Sequence, residues 1–109
     1  MIDEQDFRRY ADEAMSTLYR RLTAASDKHD FEADFNAGTL AIEFEEPPAK
    51  FVISPNTPVR QVWVSAQSKS FKLDWNESRQ AFVLPDKDQT LDELIGGAIS
   101  DQLGEEVTL

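Results

Sequence analysis

The chain of 109 residues contains no cysteine. A fold without cysteine has no disulfides, no thiolate ligands for zinc or an iron–sulfur cluster, and no cysteine nucleophile. Its stability must therefore come from its core. At this length we expect a single domain, residues 1–109, that buries about two thirds of its unfolded surface.

Basic residues are also few. There are 11 Lys and Arg against 21 Asp and Glu, which gives a formal net charge of -10 at pH 7. This charge opposes the phosphate contacts of nucleic acids and anionic membranes, so the expected partners are cations or basic protein surfaces. Solubility alone is an alternative reason for the acidity.

Long apolar runs and targeting signals are missing as well. No apolar run approaches the ~20 residues of a membrane span. The first residues resemble neither a secretory signal nor a transit peptide. We therefore expect a cytoplasmic protein that binds neither nucleic acid nor a membrane.

Helical periodicity is found at the two ends of the chain. Apolar residues at three- and four-residue steps predict a first helix over about residues 4–25, capped near Asp3. Thr90 and Glu93 match a capping box, and the apolar spacing after them predicts a second helix that ends at Gly104. A pair of glycines at 96–97 favours close packing of this helix against the first.

Alternating apolar and polar residues fill the region between the helices. Residues 31–35 and 40–44 alternate on either side of a turn at 36–38, which indicates a β-hairpin. Further short strands are expected at 50–54, 61–66, 71–75 and 81–84. The predicted fold is α+β, a two-layer α/β sandwich with both helices on one face of a twisted antiparallel sheet of five to six strands. The other face of the sheet stays open to solvent.

Trp63 lies on the open face in this scheme. In residues 61–66 the alternation places Val62 and Val64 on the core face and Gln61 and Trp63 on the opposite face. Leaving a large aromatic side chain uncovered forgoes about 2 kcal/mol of burial. An exposed tryptophan of this kind indicates a binding surface. Burial of the indole by a loop or the chain end is the alternative.

Acidic residues collect along the first hairpin. Pairing Ala33 with Ile42 places Glu32 opposite Glu43, where like charges are destabilising unless a cation or solvent separates them. Carboxylate oxygens on an open surface suit hard ions such as Fe³⁺, Ca²⁺ and Mn²⁺ in exchangeable sites. A solvated edge that prevents strand aggregation is the alternative. The candidate metal ligands are Asp27, Asp30, Glu32, Asp34, Glu43 and Glu45.

Signals of catalysis are weak. The single histidine, His29, lies in a polar connector without a serine or cysteine motif, and we interpret it as an ordinary solvated side chain. No glycine-rich phosphate loop joins a strand to a helix. We therefore expect a protein that is not an enzyme.

The chain resembles bacterial frataxin over nearly its whole length. The resemblance is carried by the order helix, strands, helix and by the segments Gln61-Val62-Trp63-Val64-Ser65, Lys72-Leu73-Asp74-Trp75 and Leu91-Asp92-Glu93-Leu94. It implies an α/β sandwich. It also implies weak iron binding by an acidic ridge on the first helix and strand, and modulation of iron–sulfur cluster assembly on a complex of cysteine desulfurase and scaffold protein.

The resemblance further implies roles for individual residues. Gln61 and Trp63 would contact the scaffold protein, and Lys72 stands where many frataxins carry a basic residue on the same surface. The Asn and Gln that frataxins often carry before the tryptophan strand are replaced here by Ser54 and Asn56, and we expect Asn56 to contact the partner as well. One departure concerns residues 19–24, where bacterial frataxins carry consecutive acids and this chain reads Tyr-Arg-Arg-Leu-Thr-Ala. Another is the short tail after the second helix, which we expect to cover little of the groove between the helices.

We therefore expect a monomeric regulator of iron–sulfur cluster assembly that docks on the desulfurase–scaffold complex and binds iron weakly and exchangeably. Two alternatives remain at this point. One is a slow ferroxidase that stores iron in oligomers, and the other is an acidic interaction module that works without metal.

Overall fold

A computed structural model describes residues 2–109 and contains two α-helices and seven β-strands. The helices are α1 (Glu4–Ser26) and α2 (Leu91–Leu103), and a short 3-10 turn covers Thr57–Val59. The strands are β1 (Glu32–Asn36), β2 (Thr39–Glu45), β3 (Pro48–Asn56), β4 (Gln61–Ala66), β5 (Lys69–Asn76), β6 (Ala81–Leu84) and β7 (Gln89–Thr90). Within the described part of the chain, neither helix has the length and apolar character that crossing a bilayer requires.

The strands form one antiparallel sheet in sequence order, β1 to β7. Side chains from both helices share one core cluster with the inner face of this sheet. The expected two-layer α+β sandwich is confirmed, but the expectation of five to six strands is wrong because there are seven. The additional strand, β7, is two residues long, and its Thr90 both pairs with Val83 and caps α2. So short a strand gives no alternation in the sequence.

Helix α1 begins where its N-cap satisfies a free backbone donor. The Oδ1 atom of Asp3 accepts a hydrogen bond of 2.7 Å from the backbone N–H of Asp6. The apolar stripe of the helix is at most 2% exposed and consists of Phe7, Ala11, Met15, Leu18 and Leu22. Burying this stripe against the inner face of the sheet leaves the outer face uncovered by helix.

Helix α2 begins with the predicted capping box. The Oε1 atom of Glu93 accepts a hydrogen bond of 2.9 Å from the backbone N–H of Thr90, and Thr90 Oγ1 accepts one of 3.3 Å from the N–H of Glu93. The backbone N–H of Thr90, followed by its hydroxyl, lowers the pKa of Glu93 from its ordinary value of 4.5.

The capping box makes the stability of the protein depend on pH. Because the pKa of Glu93 is lowered in the folded state, its stabilising contribution is present above about pH 4.5 and is lost as the pH falls through the folded value. Glu93→Gln keeps a hydrogen-bonding side chain and removes the charge. Chemical denaturation should therefore show a difference in unfolding free energy between the two proteins at neutral pH that shrinks below pH 4.5. A difference that stays constant throughout the acid range would contradict this assignment.

The chain end packs back on α2, which corrects two expectations. Val107 is only 5% exposed and joins the core, so the tail covers more than its length suggested. Ser100 Oγ accepts a hydrogen bond of 2.9 Å from the N–H of Val107. A Cβ atom on Gly96 would lie 3.4 Å from the carbonyl oxygen of Val107. The glycine therefore makes room for the tail rather than for α1.

The tail also contacts the single histidine. His29 Nδ1 lies 2.7 Å from Glu105 Oε1, and the histidine side chain is 20% exposed. The interpretation of His29 as a merely solvated side chain is therefore wrong. Because its partner is 76 residues away in the sequence, no local pattern could have indicated the contact.

Candidate functional site

Trp63 is displayed on the outer face of the sheet, as the alternation predicted. Its side chain is 38% exposed, while its strand neighbours Val62 and Val64 are 0% and 2% exposed on the core side. Its cross-strand partners are Ser54 on β3 and Lys72 on β5. The large indole of Trp63 is thus exposed to solvent beside the short side chain of Ser54 and the polar side chain of Lys72.

Three side chains fix the position of this indole. Trp63 Nε1 donates a hydrogen bond of 3.0 Å to Gln61 Oε1, and Gln61 Nε2 donates one of 3.1 Å to Asp74 Oδ1. The Lys72 ammonium lies over the indole, with its Nζ 5.0 Å from the ring centroid. We call these four residues, Gln61, Trp63, Lys72 and Asp74, the indole platform.

The contacts within the indole platform are individually weak. An exposed cation–π contact contributes about 0.5–1 kcal/mol, and a hydrogen bond contributes a similar amount. Together they restrict the rotamers of Gln61 and Trp63 before any partner arrives. A surface whose side chains are already ordered loses less entropy on binding.

Asp74 is the member of the indole platform that sequence reasoning did not assign to the site. It lies on the same face as Trp63, directly opposite Gln61 in the β4–β5 register. Its carboxylate sets the orientation of the Gln61 amide, because the NH₂ group points to Asp74 and leaves the oxygen for the indole. The cross-strand pairing is the signal that identifies it.

Asn56 lies next to the indole platform at the end of β3. It pairs with Gln61 across β3 and β4 and is partly buried. It also precedes the 3-10 turn at 57–59 without a side-chain hydrogen bond to that turn. Its amide therefore extends the polar rim around Trp63.

The acidic hairpin has the predicted register. Glu32 faces Glu43 across β1 and β2. Glu43 also lies next to a cation, with its Oε1 3.9 Å from Lys50 Nζ. This lysine partly offsets the repulsion between the two carboxylates.

The six candidate metal ligands are all exposed. The structure brings Glu32 and Glu43 together, whereas Asp27 ends α1 as its C-cap and Asp30 lies in the following connector. In residues 2–109 no three or more acidic or histidine side chains converge as a metal centre would require. These residues fit loose carboxylate binding of a cation rather than a preformed centre.

A family model described as a frataxin-like domain matches residues 1–105. The chain belongs to the frataxin-like family.

Two frataxin-family relatives show the extent of the similarity. The chain is 27% identical over 97 residues to the iron-sulfur cluster assembly protein CyaY of Azotobacter vinelandii, and the match covers 87% of each chain. Its structure resembles that of frataxin from Psychromonas ingrahamii with a TM-score of 0.78 at 23% identity, covering 98% of this chain and 97% of the other. Because the sequence identity is only 23%, this structural similarity supports the fold and nothing further.

Helix α1 of this frataxin-family chain carries no net charge. Four acidic residues (Glu4, Asp6, Asp12, Glu13) are balanced by four arginines (Arg8, Arg9, Arg20, Arg21). Near the end of the helix, Arg21 forms an ion pair with Asp92 of α2. The helix as a whole therefore has no net attraction for a cation, although Asp12 and Glu13 are exposed and form no ion pair within the described residues.

Proposed function

We propose that this protein is a non-catalytic regulator of iron–sulfur cluster assembly that docks through the indole platform on a complex of cysteine desulfurase and scaffold protein. The single observation that carries the proposal is the exposed indole of Trp63, held in place by Gln61 and Lys72. Family membership supports the biological class, and the name of the Azotobacter relative supports the pathway. The proposal places the protein in the cytoplasm.

The composition of the surface suits a docking role. Binding hot spots are enriched in tryptophan, and they are most effective when polar groups around them exclude water. Trp63 supplies the apolar centre, and Asn56, Gln61 and Lys72 supply the surrounding polar groups. In this scheme Gln61, Trp63 and Lys72 contact the scaffold protein.

Iron enters the proposal as cargo. Glu32 and Glu43 face each other with exposed carboxylates, and a cation between them would relieve their repulsion. Oxygen ligands on an open surface exchange hard cations readily, which suits a protein that must release the iron it binds. We therefore propose weak, exchangeable binding of Fe²⁺ or Fe³⁺ at the first hairpin by a monomer.

The rate of cluster formation tests the proposal. Desulfurase, scaffold, cysteine and iron are mixed with or without this protein, and cluster formation is followed by its absorbance. We expect the wild-type protein to change the rate in proportion to its occupancy of the complex, and Trp63→Ala to have a much smaller effect at the same concentration. An identical rate with and without the wild-type protein would rule out the regulatory role.

The iron component is tested by varying added iron in the same assay. If the hairpin carries iron, the double variant Glu32→Gln/Glu43→Gln should lose the iron-dependent part of the effect and keep the iron-independent part. Asp101→Gln/Glu106→Gln, which removes two exposed acids from α2 and the tail, is the control with the same charge change. Equal loss in both double variants would favour general electrostatic steering over an iron site.

A further inference from the structure

We infer that the depression beside Trp63 receives one apolar side chain from a loop of the docking partner, with a carbonyl or carboxylate of that loop meeting Lys72. The inference rests on the proposed function and specifies the chemistry that the partner must present. The depression has a volume of about 410 Å³. Its outward-facing lining consists of Val52, Ser54, Trp63, Ser65, Ser70 and Lys72.

The depression arises from the order of side chains across the sheet. Val52, Ser65 and Ser70 lie in one cross-strand row over β3, β4 and β5. The adjacent row contains the long side chains of Trp63 and Lys72. The side chains of the first row are short and those of Trp63 and Lys72 are long. The surface therefore drops from the second row to the first, and the indole forms the wall of the depression.

The position of Lys72 determines how the indole can be approached. Its ammonium lies over the ring, 5.0 Å from the centroid, and Gln61 accepts the hydrogen bond of the indole N–H. One ring face and the polar edge are therefore already occupied by the protein's own side chains. The part of the ring that lines the depression is the part left for a partner.

The lining mixes apolar and hydroxyl groups. The methyl groups of Val52 and the indole provide apolar contact, while Ser54, Ser65 and Ser70 place hydroxyls around it. Each hydroxyl both donates and accepts, so the serines can hydrogen-bond the backbone of an entering loop. This combination suits a side chain the size of leucine, methionine or phenylalanine at the tip of a loop.

Charge restricts the partner further. Lys72 is the one charged residue among the described residues that line the depression. The chain as a whole has a net charge of -10. A partner's carboxylate or carbonyl oxygen is therefore attracted here, whereas most of the surface repels acidic groups. The occupant is a loop with an apolar tip followed by an acidic or carbonyl group.

Filling the depression tests the inference. Ser65→Phe places a bulky side chain on its floor at an exposed strand position where aromatic residues are well tolerated. We expect its affinity for the desulfurase–scaffold complex, measured by calorimetry, to fall about 30-fold or more, as for loss of a central contact. Ser70→Phe, on the neighbouring strand, is the second blocking variant. Ser65→Ala keeps the space open but removes one hydroxyl, so its affinity should fall by less than about tenfold.

A matched control separates the depression from the rest of the outer face. Asn36→Phe adds the same side chain at an exposed position of β1, which β2 separates from the strands that line the depression. The inference holds if Asn36→Phe binds like wild type while both blocking variants lose affinity. It is overturned, with the proposed function intact, if wild type binds and the blocking variants bind equally well, or if Asn36→Phe loses as much affinity as they do. If wild type itself does not bind, both the inference and the proposed function are overturned.

Discussion

Replacing Trp63 by alanine should weaken binding to the desulfurase–scaffold complex at least about 30-fold, the scale expected for a tryptophan hot spot. The substitution removes an indole that is 38% exposed and that organises Gln61 and Lys72 around it. The fold should be little affected, because the outer face of β4 lies outside the core cluster. Titration calorimetry with the purified complex measures the affinity, and thermal unfolding checks the fold.

Val59 provides the matched control for this substitution. It is the other large apolar side chain exposed in the described part of the chain, at 49%, and its 3-10 turn packs against α1. Val59→Ala therefore removes exposed apolar surface away from the indole platform. Equal affinities for Trp63→Ala and wild type, or equal losses for the two variants, would show that the indole has no special part in docking.

Replacing Phe51 by alanine should lower the free energy of unfolding by about 3–5 kcal/mol. Phe51 is 0% exposed on β3, in the interior of the sheet, and its ring centroid lies 4.8 Å from that of Phe44. Removing the ring loses apolar contacts and leaves a cavity that the sheet and α1 can only partly close. The chain has no cysteine and hence no disulfide, so its stability rests on core packing of this kind.

Urea denaturation of wild type and Phe51→Ala measures this effect. Since small domains are stable by about 5–15 kcal/mol, a loss of this size takes a large share of the total and should lower the denaturation midpoint strongly. Phe51→Leu, which retains most of the apolar volume, should lose much less. A loss below about 1 kcal/mol for the alanine variant would contradict a tightly packed core at this position.

The features that sequence predicted well are those set by local periodicity. The alternation of residues 31–35 and 40–44 fixed the pairing of Glu32 with Glu43, because a shift by one residue would turn Ala33 and Ile42 to the wrong face. The same argument placed Trp63 on the outer face, where the observed register pairs it with Lys72. The capping box at Thr90 was predictable because cap residues act within one turn.

The features that sequence could not predict depend on contacts between distant residues. The tail is held by Val107 in the core and by Glu105 beside His29, and neither contact has a local signal. Strand β7 is too short for alternation to register. The role of Asp74 required the cross-strand register before its hydrogen bond to Gln61 could be recognised.

The resemblance to frataxin implied an acidic ridge on the first helix and strand, and the charges of α1 in this chain differ from that pattern. The four arginines of α1 match its four acids in number, so the excess of carboxylates lies in the connector and the first hairpin. We expect docking through the outer face of the sheet to depend little on α1. We expect iron to bind in the region around Glu32 and Glu43.

The most direct test of the account is an NMR titration of the isotopically labelled protein with the unlabelled desulfurase–scaffold complex. The account predicts that the indole N–H of Trp63 and the backbone amides of Gln61, Lys72 and Asp74 shift or broaden first, while the amides of α1 and α2 respond little. Perturbation centred on the helices, with the Trp63 indole signal unchanged at saturation, would contradict it.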